Sequence, residues 1–449
     1  MKLILPLLFL SATPAAAQAI YSIEDVGTVS ATPSDPVHGF GINNRGHMLV
    51  RNQRSIPGGG AWQDRAVFWD GQAGTVITPL IGGSTWPGGL NDFDVCVGQE
   101  TIDALDWYGF VWTPTQGTTH TLDLGPRDFT FIRAINAHGL LAGDFTSDET
   151  YNFVVQNHAF LGKQTGQYVD LESLSQSRSY FRGLNDLEQV IGTSGGINGP
   201  ILGFVWNFGT GMAALPTLGG NGCVPEGINN HGIIVGKSTN AFGQWRPFQL
   251  QQGLMTDLGP LPGDEEAAAN NLNDHGTIVG NSGTLGARRA TLWSVQGVAQ
   301  DLNALIPAGS GWTLTNAVAV NELGEISGTG DYQGNTRAFR LQPVLAAPRV
   351  SGFQPGIAGE DNRMYGLGFT PGATVELYYG FRAGSTTIPC GATVAIDSAN
   401  LLLTTTADTE GRIEVPSWLP PAAQGKRPLF QAVEPAACLV GELREQRIL

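Results

Sequence analysis

The chain contains 449 residues, 62 of them glycine, and carries a formal net charge of -15 at pH 7. A chain of this length and composition can bury at least two ordinary domain cores and is not typical of disorder. An acidic surface repels phosphate backbones and anionic lipid, which argues against nucleic acid as a partner.

Residues 1–19 form the first predicted element, a secretory signal peptide. The stretch MKLILPLLFLSATPAAAQA places Lys2 before an apolar run that ends at Leu10, and its small residues fit cleavage after Ala17 or Ala19. No later apolar run is long enough to span a bilayer. We therefore expect a secreted protein, extracellular or periplasmic, with no membrane span.

Residues 20–342 are dominated by a repeat whose mark is an aliphatic residue followed by asparagine. A glycine stands three positions after most of these asparagines, where Asp94 and Glu188 are the exceptions, and another stands seven positions after all but the first, which has Val50. The Asn-x-x-Gly element predicts a turn opened by the asparagine side chain and closed by a left-handed glycine. The seven asparagines are Asn43, Asn91, Asn136, Asn185, Asn229, Asn273 and Asn321.

Each copy continues with an apolar run and, in most cases, with a segment resembling Asp-Leu-Gly. The runs are RAVFW from 65, YGFVW from 108, HAFLG from 158, LGFVW from 202, RPFQL from 246, RATLW from 289 and RAFRL from 337. One period therefore holds four short segments of strand length with turn residues between them. This pattern predicts one blade of a β-propeller per copy, and hence an all-β, seven-bladed propeller.

The start of the mature chain contains the segment that the last copy lacks. The copy that ends with RAFRL has no Asp-Leu-Gly segment behind it, whereas the stretch YSIEDVG follows the signal peptide. We expect this N-terminal strand to complete the seventh blade, which would hide two open sheet edges.

The combined motifs resemble those of the HAF family, a group of bacterial extracellular repeat proteins. The resemblance covers roughly residues 20–342 and includes the literal triplet His158-Ala159-Phe160; Gly162 and Glu188 depart from the pattern. It implies export and a repeated β architecture, and the family offers no established catalytic residues to transfer.

Residues 349–449 lack the repeat and alternate between apolar and polar residues in separate segments, which predicts a small Ig-like β-sandwich after a linker at 343–348. Cys390 and Cys438 lie together in this region, and an exported protein favours a disulfide between them. We expect Cys96 and Cys223 to be buried, unpaired thiols.

Tryptophan divides into two predicted classes. Trp69, Trp112, Trp206 and Trp293 close the repeated apolar run, so we assign them to the core. Five others map to the variable loops on the face opposite the Asn-x-x-Gly turns, where they either bind a sugar or a protein partner or pack the loops. These candidate ligand-binding residues are Trp62, Trp86, Trp107, Trp245 and Trp312.

One strand position, three residues before the repeated asparagine, is not conserved between the copies. It holds Phe40, Gly88, Arg133, Arg182, Glu226, Asn270 and Val318. Because these residues are expected near the mouth of the central channel, Arg133, Arg182 and Glu226 form a candidate pocket for an anionic or hydroxylated ligand. A solvated channel wall is the alternative.

No motif points to a resident cofactor or a metal. The histidines at 138, 231 and 275 share one turn position on separate blades, which predicts solvated side chains. Acidic loops could hold Ca²⁺ or supply a carboxylate pair, although none has diagnostic spacing; they contain Asp103, Asp106, Asp148, Glu149 and Asp264–Glu266.

The sequence therefore favours a binding or scaffold protein over an enzyme. Carbohydrate is the first ligand class to test, and a protein partner outside the cell is also open. The alternative is a secreted glycoside hydrolase or polysaccharide lyase with its site on the variable-loop face, because the fold alone does not decide function.

Overall fold

The structure is a computed structural model that describes residues 20–29, 32–55, 62–80, 82–101, 107–122, 130–151, 154–174, 178–195, 199–294 and 296–449. The predicted signal peptide, 1–19, lies outside the described residues. Over the described ranges the chain is all-β, and its only helical elements are two three-residue 3-10 turns, η1 (Leu302–Ala304) and η2 (Pro421–Ala423). None of the helices in those ranges is long and apolar enough to cross a membrane.

The repeat region forms four-stranded antiparallel sheets, which we number in chain order. Strand β1 (Tyr21–Asp25) comes first and belongs to the last sheet. Sheet 1 contains β2 (Val37–Ile42), β3 (Met48–Ser55), β4 (Trp62–Trp69) and β5 (Gly74–Val76). Sheet 2 contains β6 (Ser84–Leu90), β7 (Cys96–Thr101), β8 (Trp107–Thr113) and β9 (Gly117–Leu122). Sheet 3 contains β10 (Thr130–Ile135), β11 (Leu140–Tyr151), β12 (Val154–Lys163) and β13 (Tyr168–Asp170).

The next four sheets repeat the same up-and-down order. Sheet 4 contains β14 (Arg178–Leu184), β15 (Val190–Gly195), β16 (Leu202–Asn207) and β17 (Gly211–Ala214). Sheet 5 contains β18 (Gly219–Ile228), β19 (Ile234–Asn240), β20 (Trp245–Gln251) and β21 (Leu254–Asp257). Sheet 6 contains β22 (Ala267–Leu272), β23 (Ile278–Ser282), β24 (Arg289–Trp293) and β25 (Ala299–Asp301). Sheet 7 contains β26 (Trp312–Val320), β27 (Ile326–Tyr332) and β28 (Asn335–Pro343), and β1 pairs with β28.

The Asn-x-x-Gly turns join the first strand of each sheet to the second, as predicted. In sheet 1 the side-chain Oδ1 of Asn43 accepts hydrogen bonds from the backbone N–H groups of Arg45 (3.1 Å) and His47 (3.0 Å). Gly46 then adopts a left-handed conformation with φ of 78°. Asp94 and Glu188, which replace this glycine, adopt the same conformation at φ of 60° and 61°, where an L-residue is disfavoured.

The amide of each repeated asparagine also ties its sheet to the next one. Asn43 Nδ2 donates to the carbonyl oxygen of Asn91 at 3.0 Å, and the pattern continues from sheet to sheet. The series returns to its start, because Asn321 Nδ2 donates to the carbonyl oxygen of Asn43 at 2.9 Å. First strands likewise contact one another in this cyclic order, with β2 against β26.

The N-terminal strand completes sheet 7. It pairs with β28 over five residues, from Tyr21 opposite Pro343 to Asp25 opposite Phe339. Tyr21 is buried in the core of that sheet, and Arg340 Nε donates to Glu24 Oε2 at 2.8 Å. The terminus thus occupies the edge that β28 would otherwise leave open.

The apolar residues of the repeated run pack between the sheets. The four tryptophans assigned to the core are all buried, and Trp293 is 0% exposed. Its Nε1 donates to the carbonyl oxygen of Gly259 at 2.8 Å, which satisfies the one polar atom of the indole. The core assignment of Trp69, Trp112, Trp206 and Trp293 is confirmed, as is the burial of the free thiols of Cys96 and Cys223.

Residues 349–449 form two larger sheets and a hairpin. One sheet contains β29 (Arg349–Gln354), β30 (Asp361–Leu367) and β35 (Ile413–Trp418); the hairpin is β32 (Ala383–Thr387) and β33 (Thr393–Ile396). The other sheet contains β31 (Thr374–Gly380), β34 (Asn400–Thr406), β36 (Leu429–Glu434), β37 (Leu439–Val440) and β38 (Arg444–Glu445). The two sheets share one apolar core. Cys390 and Cys438 form the expected disulfide, with Cα atoms 5.7 Å apart.

This C-terminal region covers the Asn-x-x-Gly turns. A buried ion pair joins Arg412 to Glu325 of sheet 7, and Arg45 of sheet 1 binds Glu414 through Nε at 2.8 Å and Nη2 at 2.9 Å. On sheet 3, His138 Nε2 lies 2.6 Å from Glu360 Oε2. Since contacts on sheets 1, 3 and 7 come from one compact region, it spans the centre of the turn face.

Removal of β1 should expose the edge of β28. We expect a mature protein that starts at Thr28 to be poorly soluble or to aggregate, because β28 loses its partner strand. Size-exclusion chromatography and thermal melting test this, with Ser22→Ala, which keeps the backbone pairing, as the control. A protein starting at Thr28 that melts cooperatively at the same temperature as the mature chain would show that β1 is dispensable.

The buried pair between Arg412 and Glu325 should dominate the docking of the C-terminal region. Burial alone would raise the pKa of Glu325, but Arg412 and Arg340 outweigh it and lower that pKa. Arg412→Met leaves a buried carboxylate without its main partner, and we expect a loss of about 3–5 kcal/mol in unfolding free energy.

The matched control is Arg427→Met. Arg427 and Glu445 also form an ion pair, but their side chains are 65% and 52% exposed, so denaturant titration should show a change below about 1 kcal/mol. Equal losses for the two variants would contradict the assignment.

Candidate functional site

A β-bulge stands at the variable position of every first strand. The register of each first strand against the second skips one residue, three positions before the repeated asparagine. The skipped residues are Phe40, Gly88, Arg133, Arg182, Glu226, Asn270 and Val318. An extra residue in a bulge makes no ladder pairing, and its side chain is free to take a direction of its own. The divergent position therefore has a structural cause.

The bulge also accounts for the second repeated glycine. Gly143 on β11 lies opposite Ile132, immediately before the bulge at Arg133. A Cβ atom at Gly143 would collide with the carbonyl oxygen of Phe131, and the corresponding glycines of sheets 2, 4, 5, 6 and 7 meet the same obstacle. In these six sheets a side chain would prevent this approach of the two backbones, whereas sheet 1 has Val50 opposite Gly39.

The bulged residues of sheets 1 to 5 surround a cavity of about 310 Å³. The predicted candidates Arg133, Arg182 and Glu226 all line it, so the structure brings these three together. Its other walls are Phe40, Pro87, Gly88, Asp144, Tyr180 and Phe181. We call this cavity the bulge pocket. It combines two guanidinium groups, two carboxylates and an aromatic wall.

Each arginine of the bulge pocket is held by a carboxylate. Arg133 Nε donates to Asp144 Oδ2, and Arg182 Nη1 lies 3.4 Å from Glu226 Oε2. Burial raises the pKa of Asp144 although Arg133 acts against it, and burial likewise raises the pKa of Glu226 against the effect of Arg182. The backbone N–H of Phe181 donates to Asp144 Oδ1 at 2.5 Å, so this carboxylate is engaged on both oxygens.

Two of the predicted tryptophans meet beside the bulge pocket. The rings of Trp86 and Trp107 are 6.0 Å apart, and the ring of Phe131 is 5.6 Å from that of Trp107. Arg51 lies over Trp86 at 4.8 Å and Arg133 over Phe131 at 5.3 Å. The stack thus runs from sheet 1 to sheet 3 and ends at an arginine of the bulge pocket.

The other three predicted tryptophans do not join this stack. Trp245 is covered by Lys237 at 5.4 Å, and Trp312 stacks on Tyr332 at 4.9 Å. Trp62 is 54% exposed at the start of β4. Of the five candidates, Trp62 therefore offers the most open ring, whereas the other four have at least one face packed.

The end of the first strands at the turns is acidic. In six of the seven sheets the side chain after the repeated asparagine accepts the backbone N–H of its counterpart in the preceding sheet, as Asp92 Oδ1 does from Asn44 at 2.8 Å; Ala137 is the exception. The acidic members of this ring are Asp92, Asp186, Asp274 and Glu322. Burial raises the pKa of Asp92 to about 6 and raises the pKa values of Asp274 and Glu322 as well.

The prediction that the turn histidines are solvated is wrong for His275. His138 is exposed, although its ring contacts Glu360. His275 lies beneath the C-terminal region, where burial together with Arg444 lowers its pKa to about 3. The sequence could not show this because the covering residues lie far along the chain. His231 lines a second cavity, of about 910 Å³, between the turns and the last residues of the chain.

The acidic loops do not form a cation site over the described ranges. Asp264 is engaged by Arg289 Nη2 at 2.9 Å and by the Ser282 hydroxyl at 2.7 Å. Asp103 and Asp106, like the side chains of Asp148 and Glu149, lie outside the described residues. Where the structure describes the chain, no group of three His, Cys, Asp or Glu side chains is placed to hold a metal ion.

Sequence reasoning missed Asp144, Tyr180 and Phe131. Tyr180 and Phe131 each stand two positions before a bulged arginine, so the two-residue periodicity of a strand could have placed them on the same face. Asp144 lies on a neighbouring strand, and no pattern in the sequence links it to Arg133.

Comparison with known proteins identifies no family. The chain matches no protein-family model and no curated protein. Solved structures that resemble it include a fungal alcohol oxidase, 11% identical, with a TM-score of 0.44 over 96% of this chain and 99% of the other. TolB from Acinetobacter baumannii is 14% identical over 59% and 62%, with a TM-score of 0.37. A gluconolactonase from Xanthomonas campestris is 11% identical over 58% and 86%, with a TM-score of 0.34.

The two tryptophan classes should differ in their effect on stability. We expect Trp293→Ala to lower the unfolding free energy by about 3–5 kcal/mol because it empties a buried site. Trp62→Ala removes a largely exposed ring and should change it by about 0.5 kcal/mol or less. Urea titration of the two variants provides the measurement, and similar losses for both would mean that Trp62 packs the loops.

Proposed function

We propose that this chain is an exported, seven-bladed β-propeller that binds carbohydrate in its central channel. The bulge pocket is the observation that carries the proposal. It gathers Arg133, Arg182 and Glu226 from three sheets at the one position that the repeat leaves free to vary. Convergent polar groups beside aromatic rings are typical of small-molecule sites.

Several features support a closed ring of seven blades. The asparagine hydrogen bonds return from Asn321 to Asn43, and β1 supplies the fourth strand of sheet 7. On this proposal residues 20–342 are the propeller, and 349–449 are an Ig-like β-sandwich whose two sheets share a core. Membership of the HAF family is part of the proposal and rests on the repeat motifs.

A disulfide and the composition of the N-terminal sequence support export. The disulfide between Cys390 and Cys438 suits an oxidising compartment, extracellular or periplasmic. The N-terminal sequence of residues 1–19 fits a signal peptide.

The predicted tryptophans take different parts in this proposal. Trp86 and Trp107 extend the aromatic wall from the bulge pocket, and the open ring of Trp62 can stack on a sugar face. Trp245 and Trp312 lie on other blades and would contact only a larger ligand or a protein partner.

A second candidate function is cleavage of a glycan, as a glycoside hydrolase or a polysaccharide lyase. It is favoured by one observation, namely that Asp144 and Glu226 line the same cavity and that burial raises the pKa values of both. Raised carboxyl pKa values are what a general acid requires. Release of reducing ends from the bound glycan would identify this activity, and its loss in Glu226→Gln would assign it.

A glycan array probed with the mature protein tests binding. We expect binding to at least one glycan class, and Arg133→Gln should weaken it by about 1.5–3 kcal/mol because a charged hydrogen-bond donor is lost. Isothermal titration calorimetry provides the affinities. The control is Arg288→Gln, which alters an exposed arginine on the β23–β24 loop. If no glycan binds, or if both variants behave alike, the bulge pocket is not a carbohydrate site.

A further inference from the structure

We infer that the bulge pocket receives the terminal, carboxylate-bearing residue of an acidic glycan, so that the protein binds chain ends rather than chain interiors. This inference rests on the proposed carbohydrate-binding function and names its ligand class. Three independent features carry it: the free edges of two guanidinium groups, the acidic end of the channel at the turns, and the covered turn face.

The two arginines present unused donors to the same cavity. Arg133 is anchored through Nε to Asp144, and Arg182 through Nη1 to Glu226. Over the described residues their remaining guanidinium N–H groups have no hydrogen-bond partner. Both side chains are partly accessible, at 43% and 42% exposure. Bulges on neighbouring sheets place them side by side, and guanidinium groups favour planar carboxylates as ligands.

Glu226 limits the number of ligand carboxylates that the bulge pocket can bind. Its carboxylate pairs with Arg182. Burial raises the pKa of this carboxyl group, and the positive charges of Arg182 and Lys237 act against that rise. A ligand carboxylate that binds Arg182 must displace Glu226 or share the arginine with it. The pocket therefore suits one carboxylate, and the charge of Glu226 opposes binding.

The channel is more acidic at the turns than at the bulge pocket. Arg133 and Arg182 stand three residues before the repeated asparagines, whereas Asp92, Asp186, Asp274 and Glu322 stand one residue after them. Like charges repel strongly where burial lowers the local dielectric. An anionic group that enters from the loop face can bind the guanidinium groups of the bulge pocket and is repelled by the carboxylates beyond it.

The turn face is also covered. The C-terminal region contacts sheets 1, 3 and 7 through Glu414, Glu360 and Arg412, and its Tyr365 packs with Leu323 of the sheet 7 turn. This region lies in the path of a polymer that would thread through the channel. At about 310 Å³, the pocket is at the small end of the range for ligand sites, which suits the end of a chain.

The experiment measures the affinity of the full mature protein for carboxylated oligosaccharides by calorimetry. The probes are galacturonate, mannuronate and glucuronate oligomers and sialyllactose, each paired with its neutral methyl ester. We expect at least one acid to bind about ten-fold or more tightly than its ester. When long and short oligomers are compared, the amount of bound protein should follow the number of chain ends and not the length of the chains.

Two variants give opposite results if the assignment is correct. Arg182→Gln should weaken binding of the acidic probe about ten-fold, and Glu226→Gln should strengthen it at neutral pH, with little change for the ester. Arg288→Gln is the control, and thermal melting confirms that each variant is folded.

Other outcomes would overturn the inference. Equal affinity for every acid and its ester would show that the protein does not recognise the ligand carboxylate. Binding that scales with polymer length would show that the protein does not select chain ends. If neutral glycans bind while no carboxylated probe is preferred, the proposed function stands and the inference falls. If no glycan of any kind binds, both fall.

Discussion

The side chain of the repeated asparagine is the element on which the rest of the structure depends. Its oxygen closes the turn within one sheet, and its amide donates to the backbone of the next. A buried amide has to satisfy both its donor and its acceptor atoms, and no other short side chain does so in this geometry. Local turn formation and the order of the sheets thus have the same chemical cause, repeated at seven places.

The bulges give this regular framework its variable positions. A bulge removes one residue from the ladder in each first strand, so that residue can change without loss of a strand pairing. The glycine opposite it is required by the backbone approach and is almost invariant between copies. In this way the same feature explains one position that is glycine in six of the seven copies and another that varies widely between copies.

The C-terminal region makes the two faces of the repeat region unlike. Its contacts cover the turns and bury the acidic ring, whereas the loop face remains open to solvent at Trp62 and at the bulged arginines. Burial is the main cause of the raised pKa values of Asp92, Asp274 and Glu322 at the turn end. The carboxyl groups at this end therefore favour the neutral form more than exposed carboxyl groups do.

The sequence by itself determined the features that arise from local chemistry. The turns, the strands of each repeat and the buried tryptophans follow from residue types at short and regular spacings, and the disulfide follows from two cysteines in one region of an exported chain. Only the tertiary structure decided which side chains meet, such as Asp144 with Arg133, Trp86 with Trp107, and His275 with the C-terminal region. Strand register and the packing of one element on another select these contacts, and the repeat pattern does not encode either.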